Sequence, residues 1–353
     1  MKSKIKYIIL IFNILAAASL LWSYVSQYIP PDKWWTPSLF GLAYPYLLAI
    51  QIFFILFWLF VKPVYSTLSI FCILAGWGVL SRFCQISGKE SDKTDIKLVS
   101  YNVKYFSGQG KNPSSELANV ITDFLKKDEP DIICLQEVRL HNNRVFNLEE
   151  TKKEFSKIRH YQYASAASTL GSVTMTRFPI VKMEEIRFEK SVNIAISTDI
   201  VCNNVTVRVF NVHLQSYLID PDNYDIIEKP IISEEKDLKE IRELARKYKD
   251  AMKKRSVQAR LIRKKIEESP YPVIVCGDFN DTPCSYTYQK TKGKLRDAFV
   301  RSGNGIGLTY KGKFPSFRID YILYSNNFRS YNFKIHDIPF SDHLPISCGL
   351  NLK

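Results

Sequence analysis

The chain has 353 residues, of which 46% are hydrophobic and 24% are charged, and this balance excludes a protein that is disordered throughout. The formal net charge of +14 favours an anionic partner, a requirement that nucleic acid, anionic lipid head groups and small phosphates satisfy equally well. The seven cysteines show no C-x-x-C spacing, so neither a zinc site nor a disulfide scaffold is indicated.

Three apolar stretches open the chain, and each has the length and composition of a membrane-spanning helix. They run over residues 7–24, 45–61 and 66–83, and none carries a charge in its interior. A helix of about 20 apolar residues spans the ~30 Å hydrocarbon core of a bilayer. A cleaved signal peptide is the alternative for the first stretch, but no small-x-small cleavage site followed by polar chain is present. We predict a membrane region over residues 1–85 with about three transmembrane helices.

Basic residues beside these stretches predict the orientation of the chain in the membrane. Lys2, Lys4 and Lys6 place the N-terminus in the cytoplasm. Three crossings then leave the remainder of this multi-pass protein on the extracytoplasmic side. If the third stretch, which ends near Arg82, does not cross, the remainder is cytoplasmic instead.

A polar linker over residues 86–95 leads into residues 96–353, which we interpret as one α/β domain. Short β-rich runs such as "IKLVSYNV", "DIICLQEV" and "PVIVCGDF" are largely apolar on both faces, which is typical of sheets covered on both sides. Residues 115–130 have apolar side chains at helical spacing and end at a proline, which predicts a helix. Residues 234–270 predict one or two long surface helices.

Polar residues gather at six places in this domain where the β-rich runs end. They are Asn102; Gln136 and Glu137; His213; Asp278, Asn280 and Asp281; Asp320; and Ser341, Asp342 and His343. A single residue of this kind is usually part of a turn, but six such places are harder to explain by local structure. Carboxylate and amide oxygens suit a hard cation such as Mg²⁺ or Mn²⁺. With a histidine and an aspartate, such a cation can hydrolyse a phosphoester.

Six short motifs occur in a fixed order along the domain: "VSYNV", "LQEV", "NVHL", "GDFND", "RIDYIL" and "SDHLP". Together they resemble the endonuclease/exonuclease/phosphatase superfamily, over the whole chain after the linker. The resemblance implies a four-layer α/β sandwich, in which two mixed β-sheets are flanked by helices. The N-terminal stretches lie outside it and resemble the membrane-anchored branch of Bacteroidetes-type bacteria, which implies the bacterial inner membrane.

The resemblance implies a metal site of Mg²⁺ or Mn²⁺. Glu137 is expected to be the principal ligand, with Asn102 and Gln136 beside it. Asp342 is expected to bind or neighbour the same ion.

The resemblance also implies the groups that act on the phosphoester. Asp278 is expected to position or deprotonate the attacking water, and Asn280 to hold that water or a phosphate oxygen. His343, oriented by Asp320, is expected to contact the scissile phosphate. His213 matches a second histidine that contacts phosphate and protonates the leaving oxygen in related deoxyribonucleases. Thr309 and Tyr310 are expected near the rim of the cleft.

The reaction is then metal-dependent phosphoester hydrolysis, with the substrate class left open. A basic domain suits nucleic acid and favours a nuclease-like phosphodiesterase, while a membrane anchor suits a phospholipid, sphingomyelin or inositol phosphate. Residues 217–232 could reach a lipid surface, but their acidic side chains oppose docking there. Arg177 in "MTRFPI" either meets the substrate phosphate or forms a surface salt bridge. A silent binding scaffold is a further alternative, and no protein partner is implied.

Overall fold

The computed structural model describes residues 3–86, 88–108, 110, 112–140, 145–166, 170–217, 235–312 and 317–353. Its helices are α1 (Ser3–Ser26), α2 (Pro37–Leu42), α3 (Tyr44–Val61), α4 (Ser66–Ala75), α5 (Trp77–Leu80), α6 (Ser115–Asp128), α7 (Leu148–Glu154), α8 (Glu235–Glu267), α9 (Tyr286–Lys292) and α10 (Ala298–Ser302). The candidate insertion at residues 217–232 lies, apart from Tyr217, outside the described residues.

The strands of the described chain make one short ribbon and two large sheets. They are β1 (Cys84–Gln85), β2 (Ile96–Asn102), β3 (Ile132–Arg139), β4 (His160–Ser165), β5 (Leu170–Thr176), β6 (Ile180–Arg187), β7 (Ile194–Cys202), β8 (Val205–His213), β9 (Val273–Asp278), β10 (Arg296–Asp297), β11 (Gly305–Ile306), β12 (Asp320–Tyr324), β13 (Phe328–Ile335) and β14 (Ile346–Leu352). The large sheets have the orders β10-β12-β9-β8-β7-β6 and β13-β14-β2-β3-β5-β4. In each sheet one pair is parallel, β8 with β9 and β2 with β3, so both sheets are mixed as predicted.

The two sheets pack face to face because their strands are apolar on both faces. Leu98 of β2 lies in the cluster between the sheets, whereas the next residue, Val99, packs outward against Ile121 of α6. On the other sheet, Val275 of β9 packs outward against Ile262 of α8. Successive strand residues point to opposite faces, so both faces are covered and the four-layer α/β sandwich is confirmed.

The boundaries of α6 follow from its sequence. The side chain of Ser114 caps the first turn of α6 by accepting from the backbone of Leu117. The helix stops at Glu129, which is left-handed with φ of 44°, directly before Pro130. The charged stretch expected to form one or two helices contains the single helix α8 of 33 residues.

The N-terminal helices form a bundle whose outer surface is apolar. The helices α1 and α3 are long and apolar enough to cross a membrane. Only 22% of the most apolar stretch of each helix is buried. Phe12, Phe60 and Phe71 are exposed. The third predicted span is not one helix, because α4 ends at Ala75 and α5 covers only four residues. At Gly76 between them a Cβ would lie 2.0 Å from the ring of Tyr24.

A buried polar network joins the three helices of this bundle. The side-chain amide of Asn13 in α1 donates to Ser69 of α4 over 2.9 Å and to Gln51 of α3 over 3.3 Å. The indole of Trp58 donates to the Asn13 oxygen over 3.0 Å. All four side chains are buried, and such bonds hold helices together in an apolar environment.

Candidate functional site

Sheet register brings the predicted polar residues to one edge of the sandwich. In the first sheet, Asp278 at the end of β9 pairs with His213 on one side and with Asp320 on the other. In the second sheet, Asn102 at the end of β2 pairs with Gln136 of β3. Because β8 and β9 are parallel, and β2 and β3 are parallel, each pair ends at a single edge. The two edges face each other across the sandwich.

Asn102 connects the residues of the two sheets. Its Nδ2 donates to Glu137 Oε1 over 3.1 Å and to Asp278 Oδ2 over 3.0 Å. His213 Nε2 lies 3.4 Å from Glu137 Oε1, and His343 Nε2 lies 3.7 Å from Asp278 Oδ2. The structure therefore brings these five residues into one cluster, in which four side chains are buried and Glu137 is partly exposed.

The turn after β9 brings the side chain of Asn280 into contact with Asp278. Asn280 is left-handed, with φ of 53°, and its backbone nitrogen donates to Asp278 Oδ1 over 2.7 Å. Its Nδ2 donates to Asp278 Oδ2 over 3.0 Å, while Phe279 between them is buried in the outer layer. Gly277 has φ of 128°, and a Cβ there would lie 2.1 Å from the backbone oxygen of Val212. Glycine is therefore required at this position.

Asp320 and Tyr310 contact the ring of His343, and Thr309 holds the backbone of Asp320. The Nδ1 atom of His343 lies 3.0 Å from Asp320 Oδ2. The hydroxyl of Thr309 accepts from the backbone nitrogen of Asp320 over 3.1 Å. The ring of Tyr310 meets the His343 ring edge-on, at 5.1 Å between centroids. These contacts fix the orientation of the His343 ring and leave its Nε2 on the side of Asp278.

Burial and neighbouring charges separate the pKa values of these groups. Burial, with the Asp320 carboxylate adding to it, raises the pKa of Asp278 to about 7. Burial opposes the charged form of His343, but the carboxylates of Asp320 and Asp278 outweigh it and raise the pKa of His343 to about 10. Burial lowers the pKa of His213. At neutral pH, His343 is the charged histidine and His213 the neutral one.

The raised pKa of His343 predicts how the stability of the metal-free protein depends on pH. A histidine whose pKa is higher in the folded protein stabilises the fold fully below about pH 6.5, and this contribution is lost as the pH rises through about 10. Between these pH values, we expect the melting temperature of the chelator-treated wild type to fall further than that of His343→Ala, by about 3 °C or more. Equal decreases would show that folding does not raise the pKa of His343.

The donor set fits a hard divalent cation. Asp278, Asp320 and His343 offer ligand atoms that lie within 4.8 Å of one another, but His343 is engaged by Asp320 and carries a proton, so it is a poor ligand. Glu137 is the better centre of a metal site, because its side chain is 19% exposed and shares the Asn102 amide with Asp278. Burial, with the Asp320 carboxylate adding to it, raises the pKa of Asp278, and a cation bound nearby would favour the charged form of this carboxylate.

Asp342 lies beside a lysine that the sequence analysis did not select. Lys104 Nζ is 3.0 Å from Asp342 Oδ2, and the backbone nitrogen of Lys104 donates to Asn102 Oδ1 over 3.0 Å. Lys104 and the two residues after it all have positive φ angles, which is a strained conformation for residues other than glycine. From the sequence, only the position of Lys104, two residues after Asn102 in "SYNVKYF", could have indicated that it lies near the site.

Arg177 is not brought to the cluster. The strand β5 runs antiparallel to β3, with Thr176 opposite Ile132, so Arg177 lies at the end of the sheet opposite Glu137. Its Nε is 2.7 Å from Asp131 Oδ1. The contacts of Arg177 correspond to the alternative interpretation, a surface ion pair, and Arg177 does not lie beside the other predicted site residues.

Two amide side chains support the cluster from behind. Gln136 points between the sheets, where its Nε2 donates to Asn211 Oδ1 over 2.7 Å, so it lies behind the expected metal site and not in it. Asn193, which no motif marked, places its Nδ2 3.0 Å from His213 Nε2 and donates to the backbone oxygen of Leu214 over 3.0 Å. Both buried amides hold the strand ends in place.

Comparison with known proteins agrees with this geometry. The model of the Endonuclease/Exonuclease/phosphatase family matches residues 99–343, and a model described as a domain of unknown function matches residues 6–83. Comparison with curated proteins gives no match. The fold and the cluster together define a hydrolase of phosphoester bonds. The chain belongs to the endonuclease/exonuclease/phosphatase family.

Three solved structures illustrate the shared fold. A Bacteroides thetaiotaomicron protein of this family is 19% identical, with a TM-score of 0.51 over 72% of this chain and 94% of its own. The human Nocturnin catalytic domain with bound sulfate is 17% identical, with a TM-score of 0.53 over 74% and 97%. D. rerio TDP2 complexed with a single-strand DNA product is 16% identical, with a TM-score of 0.53 over 72% and 98%. At these identities the likeness concerns the fold.

Proposed function

We propose that this protein is a membrane-anchored, divalent-metal-dependent phosphodiesterase of the nuclease-like kind. The observation that carries the proposal is the single cluster in which Asn102 and Glu137 of one sheet meet His213, Asp278 and His343 of the other. The cluster combines a candidate metal ligand, a buried carboxylate and a charged histidine, and each of these groups lies within 4 Å of another residue of the cluster. These are the parts that phosphoester hydrolysis requires.

The buried carboxylate and the two histidines divide the chemistry. Asp278 positions the attacking water and accepts its proton, and the backbone and side chain of Asn280 hold the Asp278 carboxylate in a single orientation. His343, kept protonated by Asp320, donates from Nε2 to a phosphate oxygen as negative charge develops. His213 is neutral and lies beside Glu137, where it contacts the phosphate near the leaving oxygen.

Glu137, with Asn102 and Asp342 nearby, would hold the cation, which we propose to be Mg²⁺ or Mn²⁺. When bound, the ion would neutralise charge on the phosphate. Lys104 already neutralises part of the charge of Asp342, so Glu137 would contribute most of the affinity for the cation.

The exposed apolar helices support the membrane anchor. A soluble protein rarely leaves so large an apolar surface uncovered, and a bilayer covers it. Arg82, at the end of the third apolar stretch, contacts Gln27 just after α1, so this stretch returns to the side on which α1 ends, although it is not one continuous helix. With the basic N-terminus in the cytoplasm of a bacterial cell, the catalytic domain then lies on the extracytoplasmic side of the inner membrane. A reporter fused to the C-terminus tests this orientation.

A lipid phosphoester is the second candidate substrate, because the loop after Asp278 contacts the N-terminal bundle. Cys284 in that loop is buried with Leu20 and Tyr44 at one end of the apolar helices. If these helices span a bilayer, the active site lies close to the head groups. The positive charge of the chain suits nucleic acid as well as anionic lipids, and a nuclease-like activity remains the first candidate.

A substrate panel separates the two candidates. The full chain, reconstituted in lipid nanodiscs with Mg²⁺, would be assayed on single- and double-stranded DNA, RNA, sphingomyelin, phosphoinositides and bis(p-nitrophenyl) phosphate. Faster turnover of nucleic acid supports the first candidate, and faster turnover of a lipid supports the second. Absence of turnover with every substrate would favour a silent scaffold and contradict the proposal.

Removal of the metal is expected to abolish activity. Exhaustive chelation should remove turnover of bis(p-nitrophenyl) phosphate, and Mg²⁺ or Mn²⁺ should restore it. Glu137→Ala should raise the metal concentration needed for half-maximal activity at least about tenfold, because it removes the most exposed carboxylate of the cluster. The matched control is Glu116→Ala, which removes an exposed glutamate of α6. Full activity after chelation would contradict the metal site.

A further inference from the structure

The N-terminal bundle packs directly on the loop that follows Asp278. We call residues 281–285 the docking loop. Cys284 in this loop is fully buried in an apolar cluster that includes Leu20 of α1, and its thiol donates to the backbone oxygen of Ser23 over 3.3 Å. The bundle and the catalytic domain therefore share one packed interface at this loop.

The approach of α2 to the docking loop is closer than a side chain allows. A Cβ added to Gly41 would lie 2.4 Å from the backbone oxygen of Cys284. Such a contact requires glycine, because backbone atoms cannot move aside as a flexible side chain can. The docking loop is therefore enclosed by α1 and α2 together.

Arg82, just after α5, makes further polar contacts at this interface. Its Nη1 donates to Gln27 Oε1 over 2.7 Å and to the backbone oxygen of Pro283 over 3.0 Å. The backbone oxygen of Arg82 accepts from Arg318 Nη1 over 2.9 Å. Arg82 thus links the end of the bundle to the docking loop and to the strand end that carries Asp320.

The docking loop is coupled to the catalytic carboxylate through a short run of contacts. The hydroxyl of Tyr321 donates to the backbone oxygen of Asp281 over 2.8 Å, and Arg255 Nε lies 3.4 Å from Asp281 Oδ2. The neighbouring Asn280 donates from its backbone to Asp278 Oδ1 over 2.7 Å. A shift of the docking loop would therefore move the groups that orient Asp278.

A second contact holds the bundle on the domain independently of Arg82. Arg260 of α8 donates to both carboxylate oxygens of Asp32, over 2.8 and 2.9 Å. The hydroxyl of Ser256 also donates to Asp32, over 2.5 Å. Loss of the Arg82 side chain would thus leave the bundle attached while removing its charged hydrogen bond to Pro283 of the docking loop.

We infer that Arg82 is a positioning residue of the active site, and that the N-terminal bundle, through Arg82, sets the position of the docking loop. The bundle is then part of the catalytic machinery as well as an anchor. This inference rests on the proposed phosphoesterase function, because it concerns the same site. It also means that a catalytic domain cut from the bundle would lack the partner of its docking loop.

Steady-state kinetics of the full chain in nanodiscs test the inference. With bis(p-nitrophenyl) phosphate and Mg²⁺, Arg82→Ala should lower kcat by about 10²-fold, the effect of a displacement of about 1 Å in a catalytic group. KM should change much less, because Arg82 does not touch the substrate. Arg82→Lys should recover part of kcat, since it keeps one donor but not the planar fork. Arg187→Ala, at an exposed arginine of β6, is the matched control.

The reactivity of Cys284 reports the interface without relying on activity. In the wild type, N-ethylmaleimide should modify the exposed Cys84 and spare the buried Cys284. Arg82→Ala should make Cys284 reactive. Gln27→Ala is a second variant that changes no residue of the catalytic domain. It should lower kcat by severalfold and expose Cys284 to a lesser degree, even if Arg82→Ala does not fold.

Each outcome has one meaning. A lower kcat with a more reactive Cys284 supports the inference. The inference is overturned, and the proposed function is not, if folded Arg82→Ala and Gln27→Ala have the wild-type kcat while Asp278→Asn is inactive. A Cys284 that reacts as fast as Cys84 in the wild type also overturns it. If the wild type and Asp278→Asn are equally inactive on every substrate, the proposed function fails, and this inference fails with it.

Discussion

Asp278→Asn is expected to reduce kcat for phosphodiester hydrolysis by about 10²–10⁴-fold, the range that a general base contributes. The amide keeps the size of the carboxylate but cannot accept a proton from water. The substitution should not unfold the protein, because burial raises the pKa of Asp278 to about 7 and so favours an uncharged group. The amide nitrogen would nevertheless face donors of Asn102 or Asn280, so we expect a melting temperature somewhat below that of the wild type.

The control for this experiment is Asp123→Asn, which changes an exposed aspartate of α6 paired with Lys126. It should leave kcat unchanged. Turnover near the wild-type rate in a folded Asp278→Asn protein would remove Asp278 from the mechanism. A large loss of stability in Asp278→Asn would instead mean that its charge, not its neutral form, holds the turn after β9.

His343→Ala should lower kcat by about 10²–10³-fold, as removal of a hydrogen-bond donor to the developing oxyanion does. Asp320→Asn should lower kcat less, because the amide still contacts His343 but no longer stabilises the charged form of its ring. The double variant should be no worse than His343→Ala within a few fold, since the carboxylate acts through the ring. Measurement of kcat for the three variants checks this order.

His336→Ala is the matched control for the histidine series. His336 is partly buried and bonded to Ser347 over 2.8 Å, yet it lies outside the cluster, so kcat should remain at the wild-type value. Additive losses in the Asp320 and His343 double variant would show that the two residues act independently. In that case the contact of 3.0 Å between them would have no catalytic consequence.

The cluster could be predicted in part because strand ends are marked locally. Apolar, β-rich runs followed by polar residues indicate where a strand stops, whatever its partners are. Asn102, Glu137, His213 and Asp278 were identified in this way, with the resemblance supplying the roles. The placement of Arg177 shows the limit of this reasoning. It also follows a strand, but only antiparallel pairing decided that its strand ends at the opposite edge.

In the N-terminal region too, the sequence predicts the helical stretches but not the contacts between distant residues. Apolar composition predicted three helical stretches, and α1 and α3 agree with the first two. The break at Gly76 lies against the ring of Tyr24, which is more than 50 residues earlier in the chain, and no local pattern contains that contact. The burial of Cys284 in the bundle likewise depends on residues more than 200 positions away.

The sequence by itself determined the elements and the chemistry of this protein, because periodicity, apolar length and residue type act over a few neighbouring positions. It specified the α/β class, the apolar helices and a set of residues suited to phosphoester hydrolysis. Only the tertiary structure decided which of those residues meet, that Lys104 and Asn193 join them, and that the bundle rests on the docking loop. Those contacts depend on strand pairing and on packing between distant segments, where shape complementarity in three dimensions selects one arrangement.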